Sequence, residues 1–345
     1  MTFDLRLAAI GLAAALAASA PAAPAAAAGQ ALIDAAKKEG HVTWYTTLII
    51  DQLARPAAAA FEQKYGIKVD YVRAEPTEIA LRIVAEGKAG QVQADIFDGF
   101  TVGGLEKAGY VQSWLPDATR HFPQDYYDPA GYWVASNIYV MTPGFNTDLV
   151  PKGTEPKTFA DLLDPKWKNK MVWSSNPSAS SAPGFVGTVL TEMGEDKGLA
   201  YLQQLAKQNI ANVGGSARQV LDQVIAGEYP VAVRIFNHHT MISAAHGAPS
   251  DWIRLEPAMV VLNIVSLTVH SPHPNAGKLL LDFLESDDGQ KLFRDADYLP
   301  ADPAVPARDP SLTPANGHFR ATTFSPETLD ADMPHWVDVY HRLFQ

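Results

Sequence analysis

The 345-residue chain contains no cysteine. This absence excludes disulfide bonds, thiolate catalysis, zinc–thiolate sites and the lipid-modified cysteine that tethers many exported proteins. Positive charge is also sparse. The sequence has 27 Lys and Arg and 38 Asp and Glu, which together give a formal net charge of −11. An acidic chain repels nucleic acid and anionic membrane surfaces. Neither is therefore an expected partner.

Long apolar runs are also scarce, apart from the N-terminus. Arg6 precedes an alanine- and leucine-rich stretch, and Ala26 and Ala28 form an A-x-A cleavage pattern ahead of Gly29. The apolar core is shorter and less hydrophobic than the ~20 residues that a membrane anchor needs, so the pattern is typical of a secretory signal peptide. We predict that residues 1–28 are a cleaved signal peptide and that the mature protein is periplasmic.

Extended and helical patterns alternate in the first part of the mature chain. Strand-like segments are "HVTWYTT", "IKVDYV" and "ADIFDGF", and a helical pattern follows each of them. In the helix "PTEIALRIVAEG" the expected N-cap is Thr77. This β–α–β rhythm predicts a mostly parallel sheet covered by helices.

Two extended runs, 132–146 and 258–270, are longer than the strands of a compact sheet and bracket a second set of alternating elements. A strand that passes from one lobe into the other would be as long as these two runs. We therefore predict an α/β, two-lobe clamshell with two extended hinge crossings. Lobe 1 is predicted to comprise residues 29–138 plus 265–345, and lobe 2 residues 139–264.

The predicted binding site lies in the crevice between the lobes. In open α/β sheets the loops at the carboxyl ends of the strands face this crevice. Ligand contacts are expected from the polar side chains of these loops, namely Thr46, Thr47, Thr77, Glu78, Thr101, Ser178, Ser180, Ser181, Ser216, Arg218, Asn237 and His239.

Two of these loops are rich in hydrogen-bond donors. The segment "SSNPSASSAPGF" places serines and an asparagine ahead of a helix start, and "NVGGSAR" opens a helix with a capping box of Ser216 and Gln219. Backbone N–H groups and hydroxyls at helix N-termini form an anion site. They predict a pocket for phosphate, phosphonate or carboxylate oxygens. The alternatives are a polar connecting loop and an Arg218 that only pairs with a surface acid.

Five segments, in order along the chain, resemble the recurring blocks of bacterial extracellular solute-binding proteins. They are "ALIDAAKKEGHVTWYTT", "PTEIALRIVAEGKAGQVQADIF", "TFADLLDPKWKNKMVW", "SARQVLDQVIAGEYPVAV" and "HPNAGKLLLDFLESDDGQ". The nearest branch is the ferric-ion-binding one. The resemblance implies a type II periplasmic binding protein that closes over a small-molecule or ion ligand and docks on the membrane subunits of an ABC permease. No cofactor is predicted, and we expect a monomer.

One segment departs from the ferric-binding pattern. In that branch a block like "NHYY" follows a strand of the second lobe, and its two tyrosines bind iron; here residues 237–240 are "NHHT". Imidazole does not supply the anionic oxygen that ferric iron prefers. A site of Glu78, His238 and His239 would instead suit a softer divalent ion. On an extended segment adjacent side chains point in opposite directions, so at most one of the two histidines is expected to face the cleft.

Catalytic motifs are missing as well. Neither a G-x-S-x-G elbow nor an H-E-x-x-H helix occurs, so the chain is not expected to be an enzyme. The sequence predicts the substrate-binding component of an ABC importer for a small organic anion, a phosphonate or a carboxylate. The alternatives are a ferric or divalent metal-ion-binding protein and a sensory accessory protein that presents the same clamshell to a membrane receptor.

Overall fold

The computed structural model describes residues 25–345, so most of the predicted signal peptide lies outside the described residues. The helices are α1 (Ala25–Glu39), α2 (Arg55–Tyr65), α3 (Pro76–Lys88), α4 (Gly103–Lys107), α5 (Ala182–Met193), α6 (Glu195–Ala206), α7 (Ala217–Ile225), α8 (Asn237–Ala245), α9 (Pro274–Glu285), α10 (Asp287–Asp295), α11 (Pro314–Gly317) and α12 (Pro326–Phe344). The strands are β1 (His41–Thr46), β2 (Lys68–Arg73), β3 (Ile96–Gly99), β4 (Val111–Gln112), β5 (Val134–Asn146), β6 (Met171–Ser174), β7 (Ala211–Val213), β8 (Val231–Phe236), β9 (Ser250–Trp252), β10 (Ala258–Thr268), β11 (Leu299–Pro300) and β12 (Ala321–Phe324). Over residues 25–345, every helix is too short or too polar to serve as a membrane span.

The strands form one hydrogen-bonded sheet in the order β2-β1-β3-β10-β5-β8-β6-β7. Two parts of it are parallel: β2-β1-β3, which we call the first strand group, and β8-β6-β7, the second strand group. An antiparallel pair, β10 and β5, joins the two groups. This arrangement agrees with the α/β architecture that the alternating sequence pattern predicts.

The two joining strands are long and buried along their whole length. β5 has 13 residues and β10 has 11. Each contains a register shift, at Thr142/Gly144 in β5 and at Asn263/Ile264 in β10, and such irregularities bend a strand. The extended runs predicted around these positions are therefore strands. Both predicted lobe boundaries fall inside them, and the exact division into lobes stays a prediction.

The N-termini of α7 and α3 position two segments of the predicted site. Ser216 is the N-cap of α7, where its N–H donates to Gln219 Oε1 at 2.7 Å and its Oγ accepts from the Gln219 N–H at 3.3 Å. This capping box confirms the prediction. The predicted N-cap of α3 is wrong, because that helix begins at Pro76, a residue favoured in the first turn, and Thr77 lies inside it.

The C-terminal helix α12 contacts α4, which follows β3 of the first strand group, and β7 of the second. Near its start, Asp330 Oδ2 accepts from the backbone N–H of Gly103, at the beginning of α4, at 2.7 Å. Near its end, the Tyr340 hydroxyl donates to Asn212 Oδ1 on β7 at 2.6 Å. The helix therefore lies across one side of the crevice.

Candidate functional site

Two neighbouring cavities open at the carboxyl ends of the strands. The small cavity has a volume of about 50 Å³ and is lined by Thr47, Ile49, Arg73, Glu75, Pro76, Phe100, Tyr139, Ser180, Ser216, Ala217, Arg218, Phe236, His239 and Tyr298. The large cavity has a volume of about 390 Å³ and is lined by Pro76, Thr77, Ile79, Ala80, Phe97, Asp98, Gly99, Phe100, Thr101, Leu105, Pro177, Ser178, Ala179, Leu329, Asp330, Met333, Pro334 and Val337. Each cavity is lined by residues of the first strand group and by the loop that follows β6.

The structure brings together many of the side chains that the sequence predicts as ligand contacts. Those that line the small cavity are Thr47, Ser180, Ser216, Arg218 and His239. Those that line the large cavity are Thr77, Thr101 and Ser178. A role of these side chains in ligand binding stays a prediction.

Two arginines give the small cavity its positive charge. Arg73 ends β2 in the first strand group, and Arg218 lies in the first turn of α7 in the second. Arg218 is fixed at both ends of its guanidinium, because Nη1 donates to Ser243 Oγ at 2.9 Å and Nη2 donates to Asp222 Oδ1 at 2.7 Å. Arg73 lies 3.7 Å from Glu75. The lining thus holds two cationic groups and one anionic group.

The loop between β6 and α5, residues 175–181, is rich in serine, and we call it the serine loop. It presents hydroxyl groups to the small cavity. Ser180 Oγ lies on the wall, 3.1 Å from Ser178 Oγ. Ser181 points inward instead and donates to Ser174 Oγ at 3.2 Å, and Ser174 in turn donates to the carbonyl of Gly215 at 2.6 Å. These bonds tie the serine loop to the turn before α7. The two donor-rich segments of the sequence therefore form one continuous surface.

A buried arginine, Arg234, forms a hydrogen bond to the backbone of the serine loop. Arg234 on β8 is 2% exposed, and its Nε donates to the carbonyl of Ala179 at 2.8 Å. Its other acceptors in residues 25–345 are a hydroxyl, Thr188 Oγ1, and a thioether, Met259 Sδ, neither of which is charged. Burial lowers the pKa of Arg234 to about 9, so the side chain stays protonated at neutral pH. A cation in a low-dielectric interior favours an anion nearby more strongly than a solvated cation does.

The two adjacent histidines lie in the first turn of α8 rather than on an extended segment. Successive side chains on a helix diverge by ~100°. His239 lines the small cavity, whereas His238 is fully buried and stacks on Tyr139 with ring centroids 5.5 Å apart. Burial lowers the pKa of His238 to about 3 and that of His239 well below its usual value, and the charge of Arg218 adds to both effects. Both rings are therefore neutral at neutral pH.

Two tyrosines also line the small cavity. Tyr139 lies on β5, and the Tyr298 hydroxyl accepts from the Ile49 N–H at 3.4 Å. Burial raises the pKa of Tyr298 to about 12 and that of Tyr139 well above its usual value. Both phenols are therefore protonated at neutral pH and can donate hydrogen bonds.

Other predicted contact residues lie away from the two cavity walls. Thr46 is fully buried at the end of β1, and Asn237 donates through Nδ2 to the carbonyl of Leu312 at 2.8 Å. Glu78 is exposed, and one of its carboxylate oxygens accepts from the Glu75 N–H at 3.3 Å. A direct contact of Thr46, Ser181, Asn237 or Glu78 with ligand stays a prediction.

The alternative metal set of Glu78, His238 and His239 is not gathered at one point. Glu78 is on the exposed surface of α3, while His238 is enclosed beside Tyr139. Within residues 25–345, no group of three or more His, Asp or Glu side chains is arranged to hold a metal ion.

The predicted ligand contacts do not include four polar residues that line the small cavity: Arg73, Glu75, Tyr139 and Tyr298. Arg73 does carry a usable signal, because it ends a strand at the same edge of the sheet as Thr46 ends β1. Tyr139 is hidden within the apolar run of β5. Tyr298 is far in sequence from the other lining residues, so no local pattern identifies it.

The fold and the crevice between the strand groups define a two-lobe binding protein. Residues 91–319 match the family described as "Bacterial extracellular solute-binding protein", and the chain belongs to this family. It is 24% identical over 292 residues, 81% of this chain and 81% of the relative, to a protein of Salmonella paratyphi A (strain ATCC 9150 / SARB42) named "Putative 2-aminoethylphosphonate-binding periplasmic protein".

Solved structures show the same fold. Iron-bound HitA from Pseudomonas aeruginosa is 20% identical with a TM-score of 0.75, and the match covers 88% of this chain and 99% of HitA. AfuA from Actinobacillus pleuropneumoniae, with exogenous fructose-6-phosphate bound, is 22% identical with a TM-score of 0.74, and the match covers 86% of this chain and 98% of AfuA. The predicted two-lobe fold and the predicted family are confirmed.

Proposed function

We propose that the protein is the substrate-binding component of an ABC importer and that it captures a small organic anion of the phosphonate class. The observation that carries this proposal is the convergence of Arg73 and Arg218, from opposite strand groups, on one small cavity. Ser180 and the neutral ring of His239 add hydrogen-bonding groups to the same wall. A phosphonate offers three oxygens to these donors, whereas a carboxylate offers two.

The size of the small cavity suits the head group of such a ligand. A space of 10–15 Å³ is about the minimum that holds one water molecule. A cavity of about 50 Å³ therefore accommodates a compact group of a few heavy atoms, such as a phosphonate. Hydrogen bonds to a charged group contribute ~1.5–3 kcal/mol each, so a few of them supply most of the specificity.

Two similar proteins support a phosphorus oxyanion. The Salmonella relative is named for 2-aminoethylphosphonate, and the AfuA structure holds fructose-6-phosphate. Both ligands carry a tetrahedral phosphorus group on a small organic body. The donor-rich wall of Ser180, Ser216 and Arg218 offers the hydrogen bonds that such a group accepts.

A ferric or divalent metal ion is the alternative cargo, and the iron-bound state of HitA supports it. Here the side chains of the small cavity that could ligate a metal are His239, Tyr139, Tyr298 and Glu75. Arg218 and Arg73 beside them disfavour a cation by like-charge repulsion. The donor set therefore fits an anion better than a metal ion.

Binding is proposed to close the two lobes. A ligand that contacts Arg73 on one side and Arg218 on the other binds best when both lie close to it, so it increases the population of the closed form. The closed form then docks on the membrane subunits of an ABC permease, or on a receptor if the protein serves sensing. Small-angle scattering should give a smaller radius of gyration at saturating ligand; an unchanged radius contradicts closure.

Further properties belong to the same proposal. The named relative is a periplasmic binding protein, and the family is one of solute-binding proteins. We accordingly expect a periplasmic, monomeric protein without enzymatic turnover, cofactor or nucleic-acid partner. Cleavage after residue 28 would appear as a mature N-terminus at Gly29 in mass spectrometry of the exported protein.

Isothermal titration calorimetry tests the proposed cargo. The probes are methylphosphonate, propionate, ferric citrate and Zn²⁺, each titrated into purified protein, with the two organic anions also titrated in the presence of a chelator. We expect methylphosphonate to bind without added metal and more tightly than propionate. Saturable binding of a metal ion alone, with no response to any organic anion, would overturn the proposal.

A further inference from the structure

The large cavity differs from the small one in size and chemistry, and it lies directly beside it. The two share Pro76 and Phe100 as wall residues. They are also linked through the serine loop, because Ser178 lines the large cavity and its hydroxyl lies 3.1 Å from that of Ser180 in the small one. The two cavities are therefore neighbours, with Pro76 and Phe100 lying between their other wall residues.

The walls of the large cavity are mostly hydrocarbon. Ile79 and Ala80 come from α3, Leu105 from α4, and Met333 and Val337 from α12. Such a surface gains free energy by contact with an apolar group, since water leaves both surfaces. The volume of about 390 Å³ lies within the range of ~300–1,000 Å³ that small-molecule sites occupy.

The acidic groups in this wall already have hydrogen-bond donors. Asp98 is 1% exposed and accepts from the Thr47 N–H at 2.8 Å and from Trp44 Nε1 at 2.9 Å. Asp330 accepts from the Gly103 N–H at 2.7 Å. These carboxylates hold the loops and α12 in place, and the hydrocarbon side chains share the rest of the wall with the hydroxyls of Thr77, Thr101 and Ser178.

We propose that the ligand is a phosphonate with an apolar alkyl or aryl group of several carbons, whose head binds in the small cavity and whose apolar group fills the large one. This inference rests on the proposed function and narrows its substrate class. It distinguishes the cargo from a compact aminophosphonate, whose ammonium group would leave water for a largely hydrocarbon surface at a free-energy cost.

A ligand series measures the contribution of the large cavity. The probes are methyl-, n-propyl- and n-hexylphosphonate, titrated calorimetrically into the purified protein, together with 2-aminoethylphosphonate. We expect the affinity to rise about fourfold per buried methylene group, and thus about 15-fold from methyl to n-propyl. 2-Aminoethylphosphonate has the same heavy-atom skeleton as n-propylphosphonate, with nitrogen in place of the last carbon, and should bind more weakly than it.

A pair of variants on α3 assigns the effect to the cavity. Ala80→Trp places an indole in the large cavity, whereas Ala85→Trp adds the same side chain to the exposed side of the same helix. Ala80→Trp should weaken n-hexylphosphonate binding about tenfold or more and weaken methylphosphonate binding by a much smaller factor. Ala85→Trp should bind the whole series as the unsubstituted protein does. Saturable methylphosphonate binding by Ala80→Trp also shows that the variant is folded.

The outcomes separate this inference from the proposed function. If no phosphonate binds at any chain length, the proposed function itself fails. If methylphosphonate binds but affinity does not rise with chain length, only the apolar subsite is wrong. Tighter binding of 2-aminoethylphosphonate than of n-propylphosphonate would likewise overturn the apolar subsite, and so would equal effects of the two tryptophan variants on n-hexylphosphonate.

Discussion

The two strand groups contribute to the small cavity in different ways. The second group supplies Arg218, which is fixed by two hydrogen bonds of 2.9 and 2.7 Å, and the serine loop, which is bonded to the turn before α7. The first group supplies Arg73, whose ion pair with Glu75 is longer at 3.7 Å. A fixed donor loses less entropy on binding than a mobile one. We infer that the second group forms the primary anion-binding surface and that the first group closes onto it.

Removal of Arg218 should have the largest effect. Arg218→Ala deletes a charged hydrogen bond to the anion, and we expect methylphosphonate affinity to fall ~30- to 100-fold, or ~2–3 kcal/mol. The measurement is calorimetric titration. The matched control is Arg55→Ala, because Arg55 forms an exposed i,i+4 pair with Asp51 and its loss changes the net charge equally. Equal losses in the two variants would show a general charge effect and contradict a contact at Arg218.

His238 and His239 are adjacent on α8, but we expect different roles for them. His239 lines the small cavity, whereas His238 is buried and contributes to stability. His238 is neutral when folded because burial lowers its pKa to about 3, whereas an unfolded histidine titrates near 6.5. The unfolded state therefore binds more protons between these values, and the free energy of unfolding should fall as pH drops below 6.5. The contribution of one such group is ~1.4 kcal/mol per pH unit.

His238→Phe removes this proton linkage while keeping a ring against Tyr139. Urea unfolding between pH 5 and 7 should show a shallower pH dependence in the variant than in the unsubstituted protein. Asp282 and Glu285, whose pKa values burial raises, titrate in the opposite sense but are present in both proteins and cancel in the difference. Identical pH slopes would mean that His238 is not buried as a neutral ring.

Arg73→Ala tests the contribution of the first group. We expect an affinity loss of about fivefold to tenfold for methylphosphonate, smaller than that of Arg218→Ala, because partly exposed charges contribute less. The same variant should reduce the ligand-induced compaction seen by small-angle scattering. A loss larger than that of Arg218→Ala would reverse the assignment of the primary surface.

The smallest effect is expected for one hydroxyl. Ser180→Ala removes a neutral hydrogen-bonding group from the small cavity and should weaken methylphosphonate binding about fivefold, or ~1 kcal/mol. Ser175→Ala is the control in the same loop, because Ser175 donates to the Val213 carbonyl and does not line the cavity. No difference between these two variants would remove Ser180 from the site.

Local patterns in the sequence predict the fold and part of the site. Strand and helix periodicity give the two sets of alternating elements, and the length of the runs at β5 and β10 predicts the crossings. The serine loop and Arg218 are found because strand ends and helix starts have recognisable residues. Tyr139 and Tyr298 escape prediction because tertiary packing, rather than a local pattern, brings them to the cavity. Asn237 has the residue type of a ligand contact, yet its amide donates to the Leu312 carbonyl, a contact between residues distant in sequence.

A crystal structure of the protein grown with methylphosphonate tests the central claim most directly. The phosphonate oxygens should lie within hydrogen-bond distance of Arg218 and Ser180, with Arg73 approaching from the other lobe and no metal ion between them. A metal ion coordinated by His239 in place of the anion, or a phosphonate bound outside the two cavities, would contradict the proposal.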